Sequence, residues 1–127
     1  MSLANATAVA TLTASDVERA KAFWTDKVGL RMDPEQSDPG GVVLDAGGGT
    51  KIFIYSSGAP KATNTVVSFK VDEVLATVNE LKGKGVQFES YDMSEIKTDE
   101  NNIAHWGEMQ SAWFKDSEGN IVCVGNM

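Results

Sequence analysis

Asp45, Tyr55, His105 and Glu108 are the candidates for proton transfer in this sequence, and Cys123 is the candidate nucleophile. General acid–base work needs two groups held around one reacting atom. No pair among Asp45, Tyr55, His105 and Glu108 has a spacing that singles it out. Cys123 is the only cysteine and His105 the only histidine. A nucleophilic thiol requires a base, a helix N-terminus or positive charge beside it. The strand neighbours of Cys123 are valines and His105 is distant in sequence, so a buried, unreactive thiol is the better reading. A lone loop histidine is more often a surface group than a ligand. Gly47-Gly48-Gly49 joins two extended runs instead of opening a helix, so it reads as a turn and not a phosphate cradle.

Two hairpins carry most of these groups. Val42–Ala46 and Thr50–Tyr55 flank the triple glycine, while Ser111–Lys115 and Asn120–Gly125 flank the turn Asp116-Ser117-Glu118-Gly119. Before the first hairpin, Val9–Ala14 alternates as a strand. Ser15-Asp16-Val17-Glu18 then has the spacing of a capping box, with Ser15 as cap, for a helix carrying Val17, Ala20, Phe23 and Trp24 on one stripe. Residues 34–41 read as loop and 56–62 as linker. Val66–Val71 is a second strand. Asp72 caps a second helix with the stripe Val74, Leu75, Val78 and Leu81, and Gly83 and Gly85 stop it. Val86–Tyr91 is extended, and Asp92–Asn102 is a polar, mobile connection.

The second half repeats the first. An offset of 57 lays Val9, Ala10, Leu12 and Ala14 on Val66, Val67, Phe69 and Val71, and an offset of 70 lays Gly49 on Gly119 and Phe53 on Cys123. Each half therefore reads β-α-β-β-β, and the two must pair to bury their sheets. The expected organisation is one α+β domain over 1–127, with module one at about 7–56, a linker at about 57–63 and module two at about 64–127.

A composition of 42% hydrophobic and 23% charged residues is that of an ordinary soluble globular protein. The formal charge of −7 argues against a nucleic-acid partner, which needs a basic surface. The charge serves solubility, with a pocket for a cationic ligand as the sharper reading. A single cysteine excludes an intrachain disulfide and favours a reducing compartment. No apolar run approaches the ~20 residues of a membrane span, and no basic-then-apolar leader opens the chain. The expectation is a cytoplasmic protein with no membrane partner.

With this arrangement the chain resembles the vicinal oxygen chelate superfamily, which holds glyoxalase I, extradiol dioxygenases, and the fosfomycin and bleomycin resistance proteins. The resemblance rests on the segment from Leu12 to Trp24, on Val28-Gly29-Leu30, on Phe69-Lys70-Val71-Asp72-Glu73-Val74, and on Asp116-Ser117-Glu118-Gly119-Asn120. It implies a glyoxalase-like fold: two βαβββ modules whose curled mixed sheets enclose one cleft, with helices outside, in a homodimer. Metal-dependent members place four ligands in that cleft, at positions held here by Val9, Val66, Phe53 and Cys123. Two valines and a phenylalanine offer no lone pair to a divalent cation. No metal and no other cofactor is therefore expected.

Period-two alternation then lines the cleft with Val9, Thr11, Phe53, Tyr55, Val66, Ser68, Ile121 and Cys123, and with Phe114 as cross-strand neighbour of Ile121. Trp106 either plugs the sheet end or forms a platform at the cleft edge. Trp24 and Trp113 are expected to face the helices as core. The function expected is metal-independent binding of a small organic ligand, a drug or metabolite, in the manner of bleomycin resistance proteins. The alternatives are a metal-free lyase or isomerase using a cleft carboxylate or tyrosine, and an accessory domain whose own rings fill the cleft.

Overall fold

A computed structural model of the chain describes residues 3–38, 40–60 and 63–126. Pro39 of the expected loop, and Lys61 and Ala62 of the expected linker, lie outside the described residues. Module one contains β1 (Ala10–Ala14), α1 (Val17–Ala22), β2 (Arg31–Asp38), β3 (Gly41–Asp45) and β4 (Lys51–Ser56); module two contains β5 (Thr65–Lys70), α2 (Val74–Gly83), β6 (Ala104–Trp106), β7 (Met109–Lys115) and β8 (Ile121–Gly125). Each module forms a four-stranded mixed sheet, in the orders β1-β4-β3-β2 and β5-β8-β7-β6. β1 runs parallel to β4 and β5 parallel to β8, and the remaining pairs are antiparallel.

One face of both sheets buries a continuous core under the helices. Leu12, Ala14, Ile52, Ile54, Val42 and Leu44 come from the first sheet, Phe114, Val122 and Val124 from the second, and Ala20, Trp24 and Leu81 from the helices. The helix after α1 widens to π-type bonding over Phe23–Val28, and Gly29 ends it in the left-handed region with φ 90°. Trp24 is 0% exposed and packs against Phe69 and Phe114 of module two, so the first helix reaches across to the second sheet.

The turn between β7 and β8 joins the modules by polar contacts. Asp116 accepts from the Trp24 indole at 3.1 Å and from the Asn120 amide at 2.8 Å, and Asn120 also donates to the Thr13 carbonyl at 2.9 Å. Glu118 accepts from the backbone N–H groups of Ser15 and Asp16, from the Ser15 hydroxyl and from Arg19 at 2.7 Å. Gly119 makes this turn possible, because its φ of 100° lies where side-chain-bearing residues are strained.

Several local expectations change. Asp16, not Ser15, caps α1, accepting from the Arg19 N–H at 3.1 Å. Ser15 instead turns to Glu118, a partner 103 positions away that local spacing does not reveal. Residues 34–38 belong to β2, an edge strand. Its register breaks between Met32 and Ser37, around the missing N–H of Pro34. α2 starts after Glu73 without a side-chain cap, and Leu75 of its expected stripe is 45% exposed. The 92–102 connection is tied down: Asp92 bridges to Lys97, Asp99 accepts from the Asn101 and Ile103 N–H groups, and Asn102 donates to Ser90.

The Arg19 guanidinium, followed by the Asp16 N–H and the Ser117 and Ser15 hydroxyls, holds the Glu118 carboxyl down at about 2 against an ordinary 4.5, despite burial pushing the other way. A depressed carboxyl stabilises the fold fully above its unfolded value and loses that contribution as pH falls through its folded value. Glu118→Gln should cost on the order of 2–3 kcal/mol in urea unfolding at neutral pH. The gap to wild type should close between pH 4.5 and about 2. An unchanged gap across that window would remove Glu118 from this role.

Candidate functional site

The faces opposite the core carry the chemistry. On the first sheet, Thr11 pairs with Phe53 and Phe53 with Val43. Alternation puts Tyr55 and Lys51 on the same side. Phe53 and Tyr55 stack with centroids 5.8 Å apart and planes inclined by 15°. Lys51 bonds Asp45 and the buried Asp33, the latter at 2.8 Å, and these oxygens hold its ammonium well above the ordinary lysine range. This face is occupied by its own side chains.

The second sheet is different. Ser68 pairs with Cys123 and Cys123 with Trp113. This row is the repeat of Thr11–Phe53–Val43, with a thiol where module one has a phenyl ring. A groove of about 450 Å³ opens over it, lined by Thr65, Ser68, Trp106, Met109, Ser111, Trp113 and Cys123. Trp106 and Trp113 stand edge to face, 6.3 Å apart at 89°, and Tyr91 meets Trp113 at 75° from the far side. Trp106 and Met109 flank the β6–β7 turn and are 41% and 39% exposed.

Of the expected lining residues, the structure gathers Ser68, Trp106 and Cys123 around this groove, with Ile121 packed against Trp113 and Cys123. Thr11, Phe53 and Tyr55 lie on the first sheet's corresponding face, and Val9 lies just before β1, 45% exposed. Val66 occupies the register break between Thr65 and Val67 and packs on the core, leaving Thr65 on the groove face. Phe114 is corrected outright: it pairs with Val122, is 1% exposed, and packs with Phe23, Trp24 and Phe88 under the helices. Trp113, expected on the helix side, lines the groove instead. Both corrections have one cause. The turn pairs Lys115 with Ile121, one residue away from the Phe114–Ile121 pairing expected, and a one-residue shift exchanges the two faces. The turn length held the missing signal: the Asp116 N–H reaches the Asn120 carbonyl just as Ala46 reaches Thr50 in the first hairpin.

Comparison with known proteins agrees with this architecture. The family model of the glyoxalase/bleomycin resistance protein/dioxygenase superfamily matches residues 6–124. The chain belongs to this superfamily. It is 30% identical over 118 residues to the uncharacterised protein YetH of Bacillus subtilis (strain 168), covering 86% of this chain and 88% of that one. Among solved structures, a glyoxalase/bleomycin resistance protein/dioxygenase from Alicyclobacillus acidocaldarius superposes with a TM-score of 0.71 at 14% identity, covering 98% of this chain and 93% of that one. Lactoylglutathione lyase from Agrobacterium tumefaciens superposes at 0.66 with 22% identity, covering 95% and 92%. These structural likenesses establish the shared fold.

Within the superfamily fold, Val9, Val66, Phe53 and Cys123 do not fit a divalent cation: three are hydrocarbons, and the fourth is a lone thiol. Among the described residues, no three His, Cys, Asp or Glu side chains converge. The acid–base candidates stand apart from the groove. His105 pairs with Gln110 on the opposite face from Trp106, and its Nε2 meets Asp99 at 2.8 Å. Asp45 is held by Lys51, Tyr55 lies on the first sheet, and Glu108 sits exposed in the β6–β7 turn.

Burial pushes the Cys123 thiol up, opposed by hydrogen bonds from Ser111, Ser68 and the Ala112 backbone. At pH 8, iodoacetamide should alkylate Cys123 about tenfold more slowly than free cysteine. Mass spectrometry should show Ser68→Ala with Ser111→Ala slowing it further. Alkylation as fast as free cysteine would contradict this reading.

Proposed function

We propose that this chain binds a small organic molecule in the groove of module two and holds it without a metal and without chemical change. The observation that carries this reading is the substitution of a thiol and a glycine, Cys123 and Gly125, for the Phe53 and Tyr55 rings of module one. It leaves an open, largely apolar space edged by the hydroxyls of Thr65, Ser68 and Ser111. That volume and lining are typical of small-molecule sites. Asp45, Tyr55, His105 and Glu108 are not among the residues lining the groove and the Cys123 thiol is pushed up by burial, which supports binding over a lyase or isomerase function. A homodimer is in keeping with the resemblance. A single free cysteine favours the cytoplasm.

A thermal-shift screen of metabolites and antibiotics should find a ligand whose calorimetric affinity is unchanged by EDTA. Trp106→Ala should weaken it about tenfold through lost ring contact. Turnover of that ligand, or binding that requires a metal, would overturn the proposal. Light scattering should return twice the chain mass for a dimer.

A further inference from the structure

The internal repeat breaks on one row of the groove face. Offsets of 57 and 70 lay Thr13, Tyr55 and Gly41 on Lys70, Gly125 and Ser111. Both trios form cross-strand rows: Thr13–Tyr55–Gly41 in the first sheet and Lys70–Gly125–Ser111 in the second. Tyr55 fills its row with a ring. Gly125 has no side chain, and a Cβ placed there would meet the Gln110 carbonyl and the Ser111 hydroxyl, each at 3.0 Å. The space this leaves is a recess of about 210 Å³, lined in part by Ser68, Lys70, Cys123 and Gly125. Ser68 and Cys123 also line the larger groove, so the two are neighbouring compartments of one site.

Their characters differ. The wide compartment is walled by Trp106, Trp113 and Met109. The narrow one is lined in part by Lys70, for whose ammonium the described residues provide no carboxylate partner. Lys115, on the same face, is already paired with Glu89 at 3.4 Å. A negative net charge describes the whole surface, whereas the unpaired charge at this site is positive.

We propose that the site takes an amphipathic anion, with a flat apolar ring system against Trp106 and Trp113 and a carboxylate or similar anionic oxygen group at Lys70. The ring supplies contact area and the ion pair sets orientation. This inference rests on the small-molecule reading above.

Three matched probes separate the two claims in calorimetric titrations: 2-naphthylacetate, its neutral amide, and 2-naphthylmethylammonium. The acetate should bind about fivefold more tightly than the amide, and the ammonium most weakly, as expected for a partly exposed ion pair. Lys70→Met should bring the acetate down to the amide without changing the amide, and Lys70→Glu should invert the order of the two ions. Lys115→Met should leave the preference intact. Equal binding of acetate and amide, or equal weakening of both by Lys70→Met, would overturn the anion assignment and leave the small-molecule reading standing. Saturable binding by none of the three would overturn both.

Discussion

The structure depends on the two buried carboxylates of the β7–β8 turn. Asp116 and Glu118 lie in module two, yet Asp116 also accepts from Trp24, and Glu118 accepts from Ser15, Asp16 and Arg19, all around the first helix of module one. A buried carboxylate is costly unless its oxygens are filled by donors, and for Glu118 these include the Ser15 and Asp16 N–H groups at the entry to α1. Among the described residues, module two supplies only the Ser117 hydroxyl to Glu118 and leaves one donor position on Asp116 to Trp24. Pairing the modules resolves both problems at once, and it brings Trp24 down onto Phe69 and Phe114 to complete the shared core.

That coupling fixes the helix side of both sheets and leaves their other faces free to diverge. Module one fills its free face with the Phe53–Tyr55 stack and the Lys51 ion pairs. Module two places a thiol, serines and a glycine on the equivalent rows and opens a groove. Superfamily membership therefore accounts for the scaffold, while the differences between the two copies account for the site. At the four positions that the resemblance assigns to metal ligands stand hydrocarbon side chains and a thiol, so the function proposed rests on shape, ring contact and one ammonium group.

Much of the fold was legible because duplication tests itself. The strand phase of Leu12 and Ala14 recurs at Phe69 and Val71, and the turn glycines Gly49 and Gly119 recur in step. The site was less legible. Cys123 and Ser68 could be placed by alternation and Trp106 only as a plug or a cleft-edge platform, while Phe114 and Trp113 exchange roles when the hairpin register moves by one residue. Alternation gives the spacing of a face and not which face is buried. Ser15 illustrates the same limit, since its hydroxyl suits a local cap and yet serves a carboxylate 103 residues away.

The sequence by itself determined the repeat, the β-α-β-β-β order and the absence of metal-binding side chains at the expected positions, because residue type and period are local properties of the chain. Only the tertiary structure decided which tryptophan lines the groove, which module carries it, and that Lys70 and Gly125 share a recess. Those outcomes follow from the pairing of β7 with β8 and of β5 with β8. Strand register is set by hydrogen bonds between segments distant in sequence, and it assigns every side chain on a strand to one face or the other.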